Sequence, residues 1–143
     1  MIPKGEIPQI KSKLKNTIID LIGDGVIYYG AGGALGFDTL AALTVLELKQ
    51  QYPQIKLILV LPCKNQTKNW RQKDIEVYES IKSQADKIVY TSEHYYSGCM
   101  QKRNRHLVDN SDYCICYKTH DTGGTAFTVN YANKQRLKII NII

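Results

Sequence analysis

Gly30-Ala31-Gly32-Gly33-Ala34-Leu35-Gly36-Phe37-Asp38 follows the apolar run Val26–Tyr29 and opens a helical pattern that runs to Gln51. A second turn, Thr122-Gly123-Gly124-Thr125, stands the same way between the run Tyr113–Tyr117 and a helical pattern ending at Lys134. A strand that ends in glycines and enters a helix offers bare backbone N–H groups and the positive end of a helix dipole. That arrangement suits a phosphate. Glycines also serve plain turns, so one such turn decides little. Two in one small chain, with an arginine segment between them, point to a nucleotide-type ligand.

Working outward, the remaining apolar runs read as strands at Lys56–Leu61, Lys87–Tyr90 and Leu137–Ile142. All five runs are continuous rather than alternating, which predicts burial on both faces of a parallel sheet. Helical patterns separate them. The first, Ile7–Ile22, puts Ile10, Leu14, Thr17, Ile18, Leu21 and Ile22 on one face and stops at Gly23-Asp24-Gly25. The second takes Asp38 as its N-cap, is apolar nearly all round through Leu48, and is therefore expected to be buried. Three more follow at Trp70–Ala85, Met100–Asn110 and Thr125–Lys134. Strict β-α alternation predicts one α/β domain over 1–143: a Rossmann-like, doubly wound parallel sheet of about five strands with helices on both faces. Ligands of such sheets bind beyond the C-terminal strand ends. The polar segments sit there: the first glycine turn, Pro62-Cys63-Lys64-Asn65-Gln66, Thr91-Ser92-Glu93-His94, and His120 to Thr125.

The fourth helix carries the sharpest physical clue. With Met100 at zero and about 100° per residue, Arg103, Asn104, Leu107, Val108 and Ser111 share its side, while Lys102, Arg105 and Asp109 point away. An arginine on a core-facing stripe needs an anionic partner, because an unpaired buried guanidinium is costly. Either a buried carboxylate such as Asp38 supplies it, or a ligand phosphate or carboxylate does. Arg105 reads as a solvated charge.

Bulk composition narrows the class. A chain of 143 residues with 43% hydrophobic and 22% charged residues is long enough for a real core and ordinary for a soluble domain. No signal sequence and no run of 18 apolar residues is present, so the expectation is cytoplasmic, without a membrane. Cys63, Cys99, Cys114 and Cys116 form no Cys-x-x-Cys pair, so they read as reduced core thiols, with no zinc site and no disulfide framework. Nothing implies a cofactor or metal. The net charge of +6 gathers at Lys4–Lys15, Lys64–Lys73, Lys102–Arg105 and Lys134–Lys138, which suits an anionic ligand, nucleic acid or simply solubility.

Several motifs, in order and over nearly the whole chain from Ile7, resemble one family. They are Gly33-Ala34-Leu35-Gly36-Phe37-Asp38-Thr39-Leu40-Ala41-Ala42; Leu59-Val60-Leu61-Pro62-Cys63-x-Asn65-Gln66 with Trp70; Gly98-Cys99-Met100-x-x-Arg103-Asn104-Arg105; and Gly123-Gly124-Thr125-Ala126-x-Thr128-Val129-x-Tyr131-Ala132. Together they resemble the YpsA-like branch of the SLOG superfamily, which unites the DNA-processing protein DprA with the cytokinin-activating LOG enzymes. The resemblance implies a Rossmann-like domain that binds nucleotides or molecules derived from them. LOG enzymes carry Met-x-x-Arg-Lys and Pro-Gly-Gly-x-Gly-Thr-x-x-Glu, whose arginine and glutamate cleave an N-glycosidic bond to ribose phosphate. Here Arg103 stands, but Thr128 occupies the glutamate position, and a hydroxyl is no carboxylate acid/base near neutral pH. Asp121 and Glu93 are the substitutes within the polar loops. A second departure is at the start. The branch opens with a central strand ending in a Thr-Gly-His-Arg-Pro-like turn, whereas this sequence goes from Met1-Ile2-Pro3-Lys4-Gly5 straight into helix. Either the sheet rearranges, or a partner supplies cover, or Met1 is an internal start. Uncovered apolar surface or an open sheet edge predicts self-association, as a homodimer.

The preferred reading is non-catalytic binding, for sensing or sequestering, of a nucleotide-derived small molecule such as an ADP-ribose/NAD-like or cyclic-nucleotide ligand. Gly32, Gly33, Ala34, Gly36, Gly123, Gly124 and Thr125 would line the phosphate path, and Arg103 with Asn104 would face it. Asp38 would accept from a ribose hydroxyl, while Pro62, Lys64, Asn65, Gln66, Trp70 and Thr128 would complete the cleft, Trp70 stacking on a base. The runner-up is a LOG-like nucleoside-monophosphate phosphoribohydrolase, disfavoured by Thr128. Third is DprA-like binding of single-stranded DNA, supported only by charge, without interleaved aromatic and basic residues.

Overall fold

In the computed structural model, which describes residues 2–143, a short 3-10 turn at Lys4–Glu6 leads into α1 (Ile7–Gly23). Then follow β1 (Tyr28–Ala31), α2 (Phe37–Gln51), β2 (Lys56–Leu61), α3 (Gln72–Gln84), β3 (Lys87–Tyr90), α4 (Cys99–Asp109), β4 (Tyr113–Cys116), α5 (Gly124–Lys134) and β5 (Lys138–Asn141). The β-α alternation is therefore complete, and every strand pair is parallel. One expectation is corrected. The five strands do not form one continuous sheet but two, β3-β2-β1 and β4-β5, and β1 and β4 each have a single neighbour.

Helices cover both faces. α1 packs on α2, and α2 on α3, β1 and β2. α4 and α5 pack on each other, α4 also against β2 and α5 against β4 and β5. Side chains alternate along a strand, so Leu57, Leu59 and Leu61 of β2 reach the α1–α3 layer while Val60 faces the other way; all four are buried. Ile10, Leu14, Ile18 and Leu21 of α1 form the buried stripe that their helical spacing predicts. They meet Ala42, Val45 and Leu48 of α2 and Ile81 of α3 in one core.

The expected burial is narrower than the apolar runs suggest. Only β2 is enclosed through most of its length. In β1, Tyr28 is 70% exposed and Gly30 is open as well, because the two alternate onto the same face of the strand while Tyr29 and Ala31 enter the core. α2 is not buried all round: Ala42, Thr44, Val45 and Leu48 are, but Leu43 faces solvent. Asp38 is not the N-cap. Gly36, at φ +88°, holds that place, and the Asp38 carboxylate instead accepts the Ala34 N–H at 3.3 Å. A side chain at Gly36 would sit in strained left-handed backbone.

Candidate functional site

A cavity of about 620 Å³ lies between β1 and β4 and is lined also by the turns that follow them. The first glycine turn lines it through Gly32, Ala34 and Gly36, and the second through Gly124 and Thr125. α4 supplies the floor with Met100, Arg103, Asn104 and Leu107. Two helix N-termini thus meet at one space. Neither begins with a capping side chain: the residues before α2 and α5 are Gly36 and Gly123, and no side chain bonds either cap. The orphan N–H groups of both first turns are left without such a partner.

Arg103 is 4% exposed. Its Nη1 donates to the Gly32 carbonyl, its Nε donates to Asn104 Oδ1 at 2.7 Å, and Nη2 approaches Met100 Sδ. Asp38 lies on the other side of Gly32. A Cβ added at Gly32 would lie 2.8 Å from both Arg103 Nη1 and Asp38 Oδ2. Gly32 is glycine because the acid and the base close over its Cα. Burial pushes the Asp38 carboxyl up, and the Arg103 charge and the Ala34 N–H pull it back. Burial likewise lowers Arg103, against the charge of Asp38. Of the two partners that the sequence leaves open for Arg103, the carboxylate Asp38 is the nearby charge, set across Gly32 rather than in direct contact with the guanidinium. The guanidinium also braces the glycine turn from below.

Other expected residues separate from this space. Gly33, at φ +74°, packs away from it, and a Cβ there would run into Leu61 Cδ2. Gln66 donates to the Gly33 carbonyl at 3.4 Å, and its Oε1 is buried without a partner. Pro62 is fully buried in the core. Lys64 pairs with Glu93 at 3.1 Å and lies over the Tyr90 ring. Asn65 accepts the Tyr95 N–H at 3.2 Å. These contacts tie the loops after β2 and β3 together beside the cavity rather than within it. Trp70 stands edge-on to Tyr78, ring centres 5.4 Å apart, packed against the core. The expectation that Trp70 stacks on a base is therefore replaced by a packing role. Gly123 caps α5 without lining the cavity. Asn104 and Thr128 do line it, and the Thr128 hydroxyl donates back to the Gly124 carbonyl at 3.0 Å.

The sequence reading missed the aromatic wall. Phe37 and Tyr117 stack with ring centres 6.4 Å apart and planes 19° from parallel, and both line the cavity. They are far apart in sequence, so spacing carried no sign of them. Thr119, His120 and Thr122 line it too; their loop was placed at this sheet edge, but nothing in sequence singled out those side chains. Asp38 is the only carboxylate among the described residues that line the space. Asp121 is fully exposed, and Glu93 is held by Lys64. Among the described residues no group of three or more His, Cys, Asp or Glu could hold a metal ion, and no helix is long and apolar enough to cross a membrane. The four cysteines are free thiols, with Cys63, Cys99 and Cys116 buried.

Comparison with known proteins agrees with the motifs. A family model described as the YspA SLOG family matches residues 3–142. The UPF0398 protein of Brevibacillus brevis is 32% identical over 129 residues, covering 88% of this chain and 69% of that protein. The UPF0398 protein YpsA of Bacillus subtilis is 28% identical over 130 residues, covering 89% and 72%. The uncharacterized SPbeta prophage-derived protein YoqJ of the same bacterium is 32% identical over 142 residues, covering 90% and 83%. With the family model spanning nearly every residue, the chain belongs to the YpsA branch of the SLOG family.

Proposed function

We propose that the cavity binds a nucleotide-derived small molecule, of the ADP-ribose/NAD or cyclic-nucleotide class, without converting it. Family membership points to a nucleotide-related function. The observation that carries the finer reading is the convergence of two uncapped helix N-termini on one cavity. Backbone N–H groups at such ends hold phosphate oxygens, and each dipole adds attraction. Two of them at one cavity suit a diphosphate or a cyclic phosphate with its sugar. Phe37 and Tyr117 offer an aromatic surface for a base. Arg103 contributes positive charge at the floor and holds the Gly32 turn in place.

Binding is favoured over cleavage by the donor set. A LOG-type reaction uses a carboxylate near the glycosidic bond; Thr128 has a hydroxyl already engaged with Gly124, and Asp38 faces Arg103. Titration calorimetry with ADP-ribose, NAD, cyclic AMP and AMP tests the reading. At least one should bind, and incubation with nucleoside monophosphates should release no free base. Free base would establish the hydrolase instead. Failure of all four ligands, alongside steeply salt-dependent binding of an oligonucleotide, would transfer the cavity to the DNA-binding reading.

A further inference from the structure

We propose that Cys114 and Cys116 of β4, with Lys118 just beyond it, form a binding site for a soft monovalent metal ion, copper(I), held between two thiolates. The site uses none of the glycine-turn groups on which the nucleotide reading rests. Side chains alternate along a strand. Tyr113, Ile115 and Tyr117 pack against the core that α1–α3 cover. Cys114 and Cys116 therefore stand together on the opposite face of β4, the one that α5 covers. Both line the cavity, and so does Met100 of α4, whose thioether is a third soft donor at the same space. The two thiols are close enough to bond, Cys114 donating its S–H to the Cys116 sulfur. Cys63 and Cys99 are sealed away by contrast, each 0% exposed.

The donor set selects the ion. Thiolates and thioethers are soft ligands that favour copper(I), while carboxylate and carbonyl oxygens suit harder ions. Zinc asks for four ligands in a tetrahedron. Among the described residues no group of three or more His, Cys, Asp or Glu is placed to supply them. A closed-shell copper(I) ion is satisfied by two sulfurs, which neighbouring thiols on one strand face can offer. On binding, two S–H bonds break and two Cu–S bonds form. Both protons pass to water, and the copper keeps its oxidation state. Thiolates, not thiols, are the ligands, so affinity depends on the ease of losing those protons. The Cys116 thiol is held below its ordinary value, first by the bond from Cys114 and further by the charge of Lys118, against the effect of burial. Donating to Cys116, and burial after that, push the Cys114 thiol up, so its proton is the one the metal itself must displace. The two-thiolate complex carries one negative charge. The Lys118 ammonium, whose side chain is partly shielded, stands beside it as the counter-charge.

The test uses the purified, fully reduced chain and copper(I) alone, offered from its bicinchoninate complex without oxygen. The chain is expected to withdraw one copper(I) per molecule, read as loss of the chelate's colour, and to gain Cu–S charge-transfer absorption in the ultraviolet. Cys114→Ser and Cys116→Ser should each lose that capture, and Cys63→Ser and Cys99→Ser should keep it, with circular dichroism showing that each variant is folded. A second measurement needs no substitution. Copper(I) should protect Cys114 and Cys116 of the parent chain from alkylation by iodoacetamide, read by peptide mass spectrometry, and leave the labelling of Cys63 and Cys99 unchanged. Four results overturn the proposal. One is no withdrawal of copper from the chelator. Another is equal capture by the folded Cys114→Ser or Cys116→Ser variant. The third is protection of Cys63 and Cys99 in place of the β4 pair. The last is equally tight uptake of zinc, which would require a ligand set that this strand face does not hold. Failure of every nucleotide in calorimetry leaves each of these outcomes as it stands, because the thiol pair and the glycine turns share no donor group.

Discussion

Arg103 shows how far one side chain can be read and where reading stops. Its helical position alone turns it inward with Val108, and Lys102 and Arg105 outward, as the structure has them. What the position leaves undecided is the partner, since a helix face says nothing about Gly32 or Asp38, both more than 60 residues away. Arg103→Ala removes the charge beside Asp38 and the brace under the Gly32 carbonyl. Breaking a buried charge arrangement in this way costs roughly 3–5 kcal/mol. Arg105→Ala, on the exposed side, should stay within about 0.5 kcal/mol of the parent. Urea unfolding of the two variants checks the difference; equal losses would mean that Arg103 is not the buried member. Where Arg103→Ala remains folded, ligand affinity should fall about tenfold to a hundredfold, and Arg105→Ala should keep it. Gly32→Ala is the complementary probe. Its methyl must displace the Arg103 guanidinium or the Asp38 carboxylate, a strain of roughly 1–3 kcal/mol. The ligand that calorimetry identifies should bind this variant more weakly than the parent, and parent-like affinity would mean that the turn is not part of the site.

At the scale of elements, β2 and β3 were legible to the residue, because their runs are apolar and bounded by polar turns. β1 was not: the reading of Val26–Tyr29 falls two residues short of Tyr28–Ala31. The Val26 N–H is taken by Leu21 in the C-terminal bonds of α1, so the strand begins later. It then runs through Gly30 and Ala31, poor strand formers that pair with Ile58 and Leu59 because tertiary context overrides propensity. α3 begins at Gln72, not Trp70, since the Trp70 N–H closes a turn onto Thr67 and Arg71 is extended. Asp86 shows what fastens the elements. Its carboxylate takes a bond from Lys49 of α2 and the Leu57 N–H of β2 at 2.8 Å, and these two contacts hold its pKa below the ordinary aspartate value of 3.8. A lowered folded value means that the contribution is complete above 3.8 and is lost as pH falls through the lowered value. Asp86→Ala should therefore cost about 1–2 kcal/mol at neutral pH. The gap from the parent should narrow as pH falls below 3.8. Unfolding curves at pH 7 and pH 3 decide it, and a gap that persists undiminished in acid would refute the assignment.

Across the whole molecule, burial is lopsided. The largest fully buried side chains, from Leu14 to Cys99, all precede β4. The core cluster draws on α1, α2, β1, β2 and α3 and receives only Ile142 as a buried member from the last 30 residues. β4 and β5 pair with each other, α5 covers them, and the helical link to the rest is the α4–α5 contact. The doubly wound architecture was readable because alternation and handedness restrict the topology. Its division into two sheets was not, because a missing neighbour leaves no mark on the strands that flank it. The division has a consequence for stability. A segment with few buried apolar contacts and an open strand edge opens at lower free energy than the core. Native-state hydrogen exchange in low urea should therefore show β4, α5 and β5 exchanging through a partial opening, while β2 and α1 exchange only with global unfolding. If amides of Tyr113–Cys116 and Leu57–Leu61 converge on one unfolding free energy, the two sheets already behave as one cooperative unit, and the open edge costs the fold nothing.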